Sequence, residues 1–342
     1  MTYLALYASS ILRHPPGELV NSPLLGNAET DQRSLAASFA PVIAEACDGR
    51  LGEVTWFRAD WQRGGAATGK ATFRLDDGHE VPVVLKLPVV QRELHWMRRM
   101  QDSDDPDPVV PRLYASGTAI GGYDLAWIII EQFEHGPLGL RWHEDHIERV
   151  ADAAARFHAR AAAFPVDQEP AVEPWNDLLK QALESVKVNA LPDQKRWSDG
   201  IKTLRRRLDP LIDEWHARDA RQWLHGDLHL ANAMSRHDMN HGTVSLIDLA
   251  EVHAGHWIED AVYLERQLWA RPERTKRHKP VRTVAAARRK LGLPVEDDYA
   301  RLAMVRRVLL AGTAPRFILS EGHPKHRAAC LDWLETGLGA LK

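Results

Sequence analysis

The spacing of apolar residues changes character along the chain. Through the first 30 residues no period holds, and "HPPGELVNSP" reads as part of an irregular N-terminal extension. Leu35, Phe39, Ile43 and Ala46 then share one stripe, which predicts a helix stopped at Gly49. From "EVTWFRADW" onward the pattern is that of strands. "ATFRL" alternates, "DDGH" supplies a hairpin turn, and "VPVVLKLP" continues as the next strand. "QRELHWMRRM" returns to a helical period through Leu94, Met97 and Arg98. "LAWIII" is a continuous apolar run, expected of a strand covered on both faces. It stops at Glu131, ahead of Gly136.

Beyond residue 141 the period settles near about 3.6. Ile147, Val150, Ala151, Ala154, Phe157, His158 and Ala161 form one stripe. Trp175, Leu178, Leu179, Ala182, Leu183 and Val186 form a second. Ile201, Leu204, Leu208, Ile212 and Trp215 form a third, which Pro210 should bend. "HGDLHLANAM" (225–234) interrupts the helices and reads as a loop. A short strand, "VSLI", follows a turn at Asn240–Gly242, and Asp248 stands at its end. Helical patterns then resume. Strands first and helices afterwards predict an α+β chain with two lobes. Residues 1–50 are the extension and first helix. Residues 51–134 are a small β-rich N-lobe with a hinge near 131–136, and residues 135–342 a larger, mainly helical C-lobe. A cleft between lobes is a usual place for a nucleotide.

Composition narrows the class. A chain of 342 residues suits two lobes, and 44% hydrophobic content supports a sizeable core. A net charge of -3 gives no global pull toward nucleic acid or anionic membrane. Cys47 and Cys330 alone make neither a disulfide framework nor a zinc knuckle, which points to a reducing compartment. The start lacks the basic region of a signal peptide, and no apolar run approaches the ~18 residues of a membrane span. The expectation is a soluble cytoplasmic protein without nucleic-acid or membrane partners. The 12 tryptophans are read first as packing residues, with a few lining a pocket as the sharper alternative.

The polar residues that break these patterns carry the candidate chemistry. In "QRGGAATGK", Gly64 and Gly65 would let backbone N–H groups approach an anion closely, although such hairpins are often plain turns. Lys86 sits inside an apolar strand. That is costly unless the ammonium is paired or faces a cleft, and an edge lysine in water is the ordinary alternative. The helical period around Glu93 could turn it back toward Lys86. A strand lysine paired with a helix glutamate is one way to hold the α- and β-phosphates of ATP. Backbone near Glu131 and Phe133 suits hydrogen bonding to adenine.

Two chemistries compete for the 225–234 loop. Zinc would use His225 and His229, but no HExxH arrangement is present, and His237, His241, His253 and His256 lack ligand-like spacing. Phosphoryl transfer needs a carboxylate for the acceptor hydroxyl and oxygen ligands for Mg²⁺. Asp227 and Asn232 have the Asp-to-Asn spacing of a kinase catalytic loop, and Asp248 follows at a strand end where a second magnesium ligand belongs. His158, on an apolar stripe, reads as a core histidine satisfied by a local partner.

With these residues in place, the chain resembles the aminoglycoside phosphotransferase and choline-kinase-like family of small-molecule kinases. "LHGDLHLAN" (224–232) is similar to the family's H-G-D-x-x-x-x-N loop through His225, Gly226, Asp227 and Asn232. "LIDLAEVHAGHWIEDAVYL" (246–264) is similar to its metal loop through Asp248, Glu251, Gly255 and Asp260, with Ala250 where a glycine is frequent. "AARFHA" and "VVPRLYASG" add to the likeness, which spans roughly residues 50–265. The resemblance implies a bilobal protein-kinase-like fold that uses ATP or GTP with Mg²⁺. It implies Asp227 as catalytic base, Asn232 and Asp248 as magnesium ligands, and Lys86 as phosphate anchor held by Glu93. It gives His225 and Asp260 the task of organising loops, places His229 beside the site, and leaves Glu251 as a possible helper to the metal.

The acceptor is less legible. "RPERTKRHKPVRTVAAARRK" (271–290) is strongly basic. Its plain reading is a solvated loop and helix face. If it borders the acceptor site, an anionic or neutral hydroxylated acceptor suits it better than a polycationic aminoglycoside. A sugar, nucleoside or sugar-containing antibiotic or metabolite is therefore expected. A catalytically silent nucleotide sensor and a protein kinase are the alternatives. Intact Asp227, Asn232, Asp248 and Lys86 argue against the first. The helical insertion at 165–220 argues against the second.

Overall fold

The computed structural model describes residues 37–57 and 66–341. The expected N-terminal extension, Leu35 of the first stripe, and Gly64 and Gly65 lie outside them. A helix over residues 37–46 (α1) buries Phe39 and Ile43, and it ends at Asp48 and Gly49, both at positive φ. Five strands follow: β1 (Thr55–Phe57), β2 (Ala67–Arg74), β3 (Glu80–Val89), β4 (Leu113–Gly117) and β5 (Ala126–Glu131). They form one antiparallel sheet in the order β1-β2-β3-β5-β4. The DDGH turn joins β2 to β3, with Gly78 at φ 86°.

β2 is longer than the alternation of "ATFRL" predicts. Ala67 to Lys70 pair with Leu87 to Val84, so "ATGK" is strand rather than loop. A Cβ on Gly69 would lie 2.4 Å from Val54 Cγ1. The glycine permits close packing within a strand, a role its sequence neighbourhood does not distinguish from a turn. β5 is covered on both faces, as its apolar run requires. Trp127 and Ile129 join the core under α1, and Ala126 and Ile128 join a second core toward the helices.

Helix α2 (Gln91–Arg99) follows β3 directly and buries Glu93, Leu94, Trp96 and Met97. Its Trp96 ring meets Trp223 edge-on at 4.7 Å. That contact joins α2 to the strand that leads into the HGD loop. Trp96 is 2% exposed, and truncating a buried tryptophan costs about 3–5 kcal/mol. α3 (His146–Ala161) runs between two cores. Ile147, Val150, Ala154, Phe157 and Ala161 face the middle layer, whereas Ala151 and Ala155 face the distal helical one.

The distal layer contains α4 (Trp175–Val188), α5 (Gln194–Arg206) and α6 (Leu208–His216). The third apolar stripe is two helices, not one bent helix. The break falls at Arg207 because the Pro210 ring would collide with the carbonyl four residues earlier. Most tryptophans are packing residues: Trp96, Trp175, Trp215 and Trp257 are among the largest fully buried side chains.

Two short ribbons position the chemistry. β6 (Gln222–Leu224) pairs with β9 (His253–Gly255), and β7 (Ala233–Ser235) pairs with β8 (Val244–Leu246). The loop between β6 and β7 carries Asp227 and Asn232, and the loop between β8 and β9 carries Asp248. Pairing β6 with β9 and β7 with β8 therefore sets the two loops face to face. α7 (Ile258–Arg266), α8 (Pro280–Lys290), α9 (Tyr299–Thr313) and α10 (Pro324–Ala340) complete the C-lobe. No described helix is long and apolar enough to cross a membrane.

Candidate active site

Lys86 leaves the middle of β3 and meets Glu93 of α2, with Nζ 2.7 Å from Oε1. Thr68 opposite and Ile128 on the other side are its strand neighbours. Asp248 Oδ1 lies 3.4 Å from the same ammonium. One lysine thus joins the sheet, the helix and the loop after β8. Burial pushes the Lys86 ammonium down, but Glu93 and Asp248 together overrule it and hold its pKa above the ordinary value. The same burial pushes Glu93 up, and Lys86 only partly offsets this. The two shifts pull the pair in opposite senses. With two carboxylates around one ammonium, the proton belongs on lysine and the pair is ionic at neutral pH.

The 225–232 loop is held from below by Asp260 in the first turn of α7. Its carboxylate accepts from His225 N and Gly226 N, each at 2.9 Å, and from His158 Nε2 at 2.9 Å. Arg288 Nη1 donates to His158 Nδ1 at 3.0 Å, which fixes a neutral imidazole with its proton on Nε2. The partners of His158 are distant in sequence rather than local. Gly226 has φ 81°, and a Cβ there would lie 2.1 Å from Glu251 O. Only glycine fits where the two loops touch. His225 donates through Nε2 to Ile247 O at 3.1 Å and accepts Asp227 N at Nδ1. The loop histidines therefore serve as hydrogen-bonding struts.

Asp227 projects from this braced turn. His229 Nε2 lies 3.3 Å from Asp227 Oδ2, and the Tyr263 hydroxyl also bonds the carboxylate. Burial raises the Asp227 pKa, but His229, Tyr263 and His225 reverse that and bring it to about 2. Asn232 donates Nδ2–H to Asp227 O at 3.0 Å and to Asp227 Oδ2 at 2.9 Å. Both neighbours are acceptors, so the amide orientation is fixed and Oδ1 is left for another ligand. Asp248 adopts φ 65°, a conformation rare for residues with a side chain and concentrated at functional sites. Its Oδ1 faces Lys86, and its side chain is 44% exposed. An amide oxygen and a carboxylate oxygen are the hard donors that magnesium takes. Glu251 stands close by, its carboxyl raised by burial and by the negative charges of Asp227 and Asp248.

The hinge differs in detail from the expectation. The Glu131 carboxylate is gripped by Arg236, Nε to Oε1 at 2.8 Å and Nη2 to Oε2 at 2.7 Å. Arg236 also donates to Pro108 O at 2.8 Å and lies 5.0 Å over the Phe133 ring. The amides of Glu131 and Gln132 are bonded to Arg112 O and Pro82 O. The Glu131 and Phe133 side chains thus fasten the hinge, and the Glu131 amide is already committed. Tyr263, Arg236 and Arg288 were not singled out in the sequence. Arg288 had a signal: with Val281, Val284 and Ala285 it completes an i, i+3, i+4, i+7 stripe, and it is buried where a solvated face was expected.

A sheet that offers a glutamate-held lysine to paired loops bearing aspartate and asparagine defines the class of protein-kinase-like phosphotransferases. The chain belongs to the phosphotransferase enzyme family, whose model matches residues 60–305. Among solved structures, a microcompartment-associated aminopropanol kinase aligns with a TM-score of 0.54 and 13% identity, covering 86% of this chain and 94% of the other. A GDP complex of an aminoglycoside 2'-phosphotransferase aligns at 0.50 and 16% identity, covering 89% and 95%. An aminoglycoside phosphotransferase from Streptomyces rimosus shares 22% identity at a TM-score of 0.44, covering 82% and 97%. At these identities the likeness is one of fold. No curated protein sequence matches the chain.

Proposed function

We propose that this chain transfers the γ-phosphoryl group of ATP or GTP to a hydroxyl of a small molecule, with a sugar, nucleoside or sugar-containing metabolite or antibiotic as candidate acceptors. One observation carries the reading: Lys86 Nζ lies 2.7 Å from Glu93 and 3.4 Å from Asp248, so a phosphate-binding cation and a metal-binding carboxylate adjoin. In this reading Lys86 anchors the phosphates and Glu93 orients it. Asn232 Oδ1 and Asp248 would hold Mg²⁺, whose charge would offset that of the phosphate oxygens. Asp227 orients the acceptor hydroxyl and takes its proton. Backbone near Glu131 and Phe133 would receive the base, the Phe133 amide having no bonded partner among the described residues, and Gly64 and Gly65 belong to the segment that would cover the phosphates.

The test is direct. Incubation with Mg-ATP and a panel of hydroxylated metabolites and antibiotics should add the mass of one phosphoryl group to at least one acceptor. Nucleotide binding with no transfer across a broad panel would instead identify a silent sensor. Lys86→Met should raise the nucleotide KM and lower kcat, together costing about 10²-fold in kcat/KM, as removal of one preorganised charge does. Steady-state kinetics identical to wild type would remove Lys86 from the phosphate site.

A further inference from the structure

Resting on the phosphotransferase reading of this site, we infer that the acceptor carries an anionic group and that Arg274 recognises it. An open recess of about 250 Å³ begins at the HGD loop. Its walls include His229 and Ala231 of that loop, Leu264 of α7, Gln267 just past the end of that helix, and Arg274 beyond it. His229, which lines the recess, lies 3.3 Å from Asp227, the carboxylate assigned to the acceptor hydroxyl. Arg274 lines the same recess. No carboxylate is among the described residues that line the space.

The guanidinium is held but not neutralised. It lies 4.7 Å over the Trp142 ring, a contact that limits its rotamers while leaving its N–H edge available. No described carboxylate forms an ion pair with it, whereas Arg277 in the same segment pairs with Glu144 and with Asp145. Loss of water and then the charge of neighbouring Arg271 lower the Arg274 pKa, with adjacent Glu273 offsetting them in part. Residues 271–290 hold nine lysines and arginines (271, 274, 276, 277, 279, 282, 288, 289 and 290) against the single acid Glu273.

A polyamine acceptor would set its ammonium groups against this arginine, and none of the described lining residues is a carboxylate to receive them. A carboxylate or phosphate on the acceptor would instead take two parallel N–H bonds from a planar guanidinium. Gln267 is exposed, and its amide suits hydroxyls. The shared chemistry is a hydroxylated molecule bearing one oxyanion.

The test uses the full chain, Mg-ATP and hexose, cyclitol and nucleoside acceptors, each in neutral, amine, carboxylate and phosphate forms. Transfer should favour the oxyanion-bearing members, and comparing carboxylate with phosphate forms tells which anion is preferred. Arg274→Glu should raise the KM of those members by about 10- to 100-fold, the loss of one charged hydrogen-bonded contact. The KM for Mg-ATP should stay within about twofold, and Arg274→Lys should recover part of the effect. Transfer confined to amine-bearing or neutral acceptors, or an unchanged KM in Arg274→Glu, overturns this inference and leaves the phosphotransferase reading standing. Mg-ATP binding without transfer to any member overturns both.

Discussion

Asp227→Asn lowers turnover by about 10²–10⁴-fold while Mg-ATP binding and melting temperature stay close to wild type. The carboxylate is fixed by His229, Tyr263 and Asn232, so an amide of the same size occupies its place with little rearrangement. What the amide lacks is a site for the hydroxyl proton. With a pKa of about 2, Asp227 is ionised throughout the neutral range. So low a value makes it a weak base toward a resting alcohol. In the proposed reaction its work would be to aim the hydroxyl and to accept the proton late, once bond formation to phosphorus has made that proton acidic. Any loss of rate in mildly acidic solution therefore belongs to another group. Single-turnover kinetics with an acceptor found in the panel measure the effect. Turnover within threefold of wild type would sink the assignment.

Asp260→Ala, by contrast, should act on stability first. Its carboxylate is buried and accepts two backbone N–H groups of the HGD loop as well as His158. Alanine leaves three buried donors without a partner. Each such donor costs about 1–3 kcal/mol, and breaking a buried charged network costs about 3–5 kcal/mol in all. That is a large part of the ~5–15 kcal/mol that holds a domain folded. Urea unfolding measures it, and a change below about 1 kcal/mol would rule out the bracing role. The pH dependence has a definite sign. Burial raises the Asp260 pKa, but His158, His225 and Gly226 hold it below the ordinary carboxylate value. Its stabilisation is complete above about pH 4 and is lost as pH falls through the folded-state pKa. His158 is kept neutral by burial, so its contribution declines below about pH 6.5, where the unfolded chain gains a proton first. Wild type therefore loses stability on acidification from both groups, and Asp260→Asn should show a shallower slope below pH 4.

The legible parts of the molecule were those whose partners lie close in sequence or whose period is long. Asp227 and Asn232 share one loop, and their spacing alone says that they can meet. Lys86 and Glu93 span a strand-to-helix junction seven residues long. The switch from alternating to helical period separated the lobes because each pattern persists over many residues. What escaped is long-range or disguised. Tyr263 looks like a packing aromatic on α7, and only the fold turns it toward Asp227. Arg288 was hidden by a basic stretch, although it completes an apolar stripe. Gly69 resembled turn punctuation but serves close packing inside β2. The split at Arg207 shows a proline ending a helix that periodicity alone would continue.

The grip of Arg236 on Glu131 has a mechanical consequence. A guanidinium from one lobe is forked onto a carboxylate at the end of β5, and it is tied on to Pro108 and Ser245 behind. Swinging the lobes apart about that linker would stretch parallel charged bonds at once, so the joint behaves as a weld rather than a pivot.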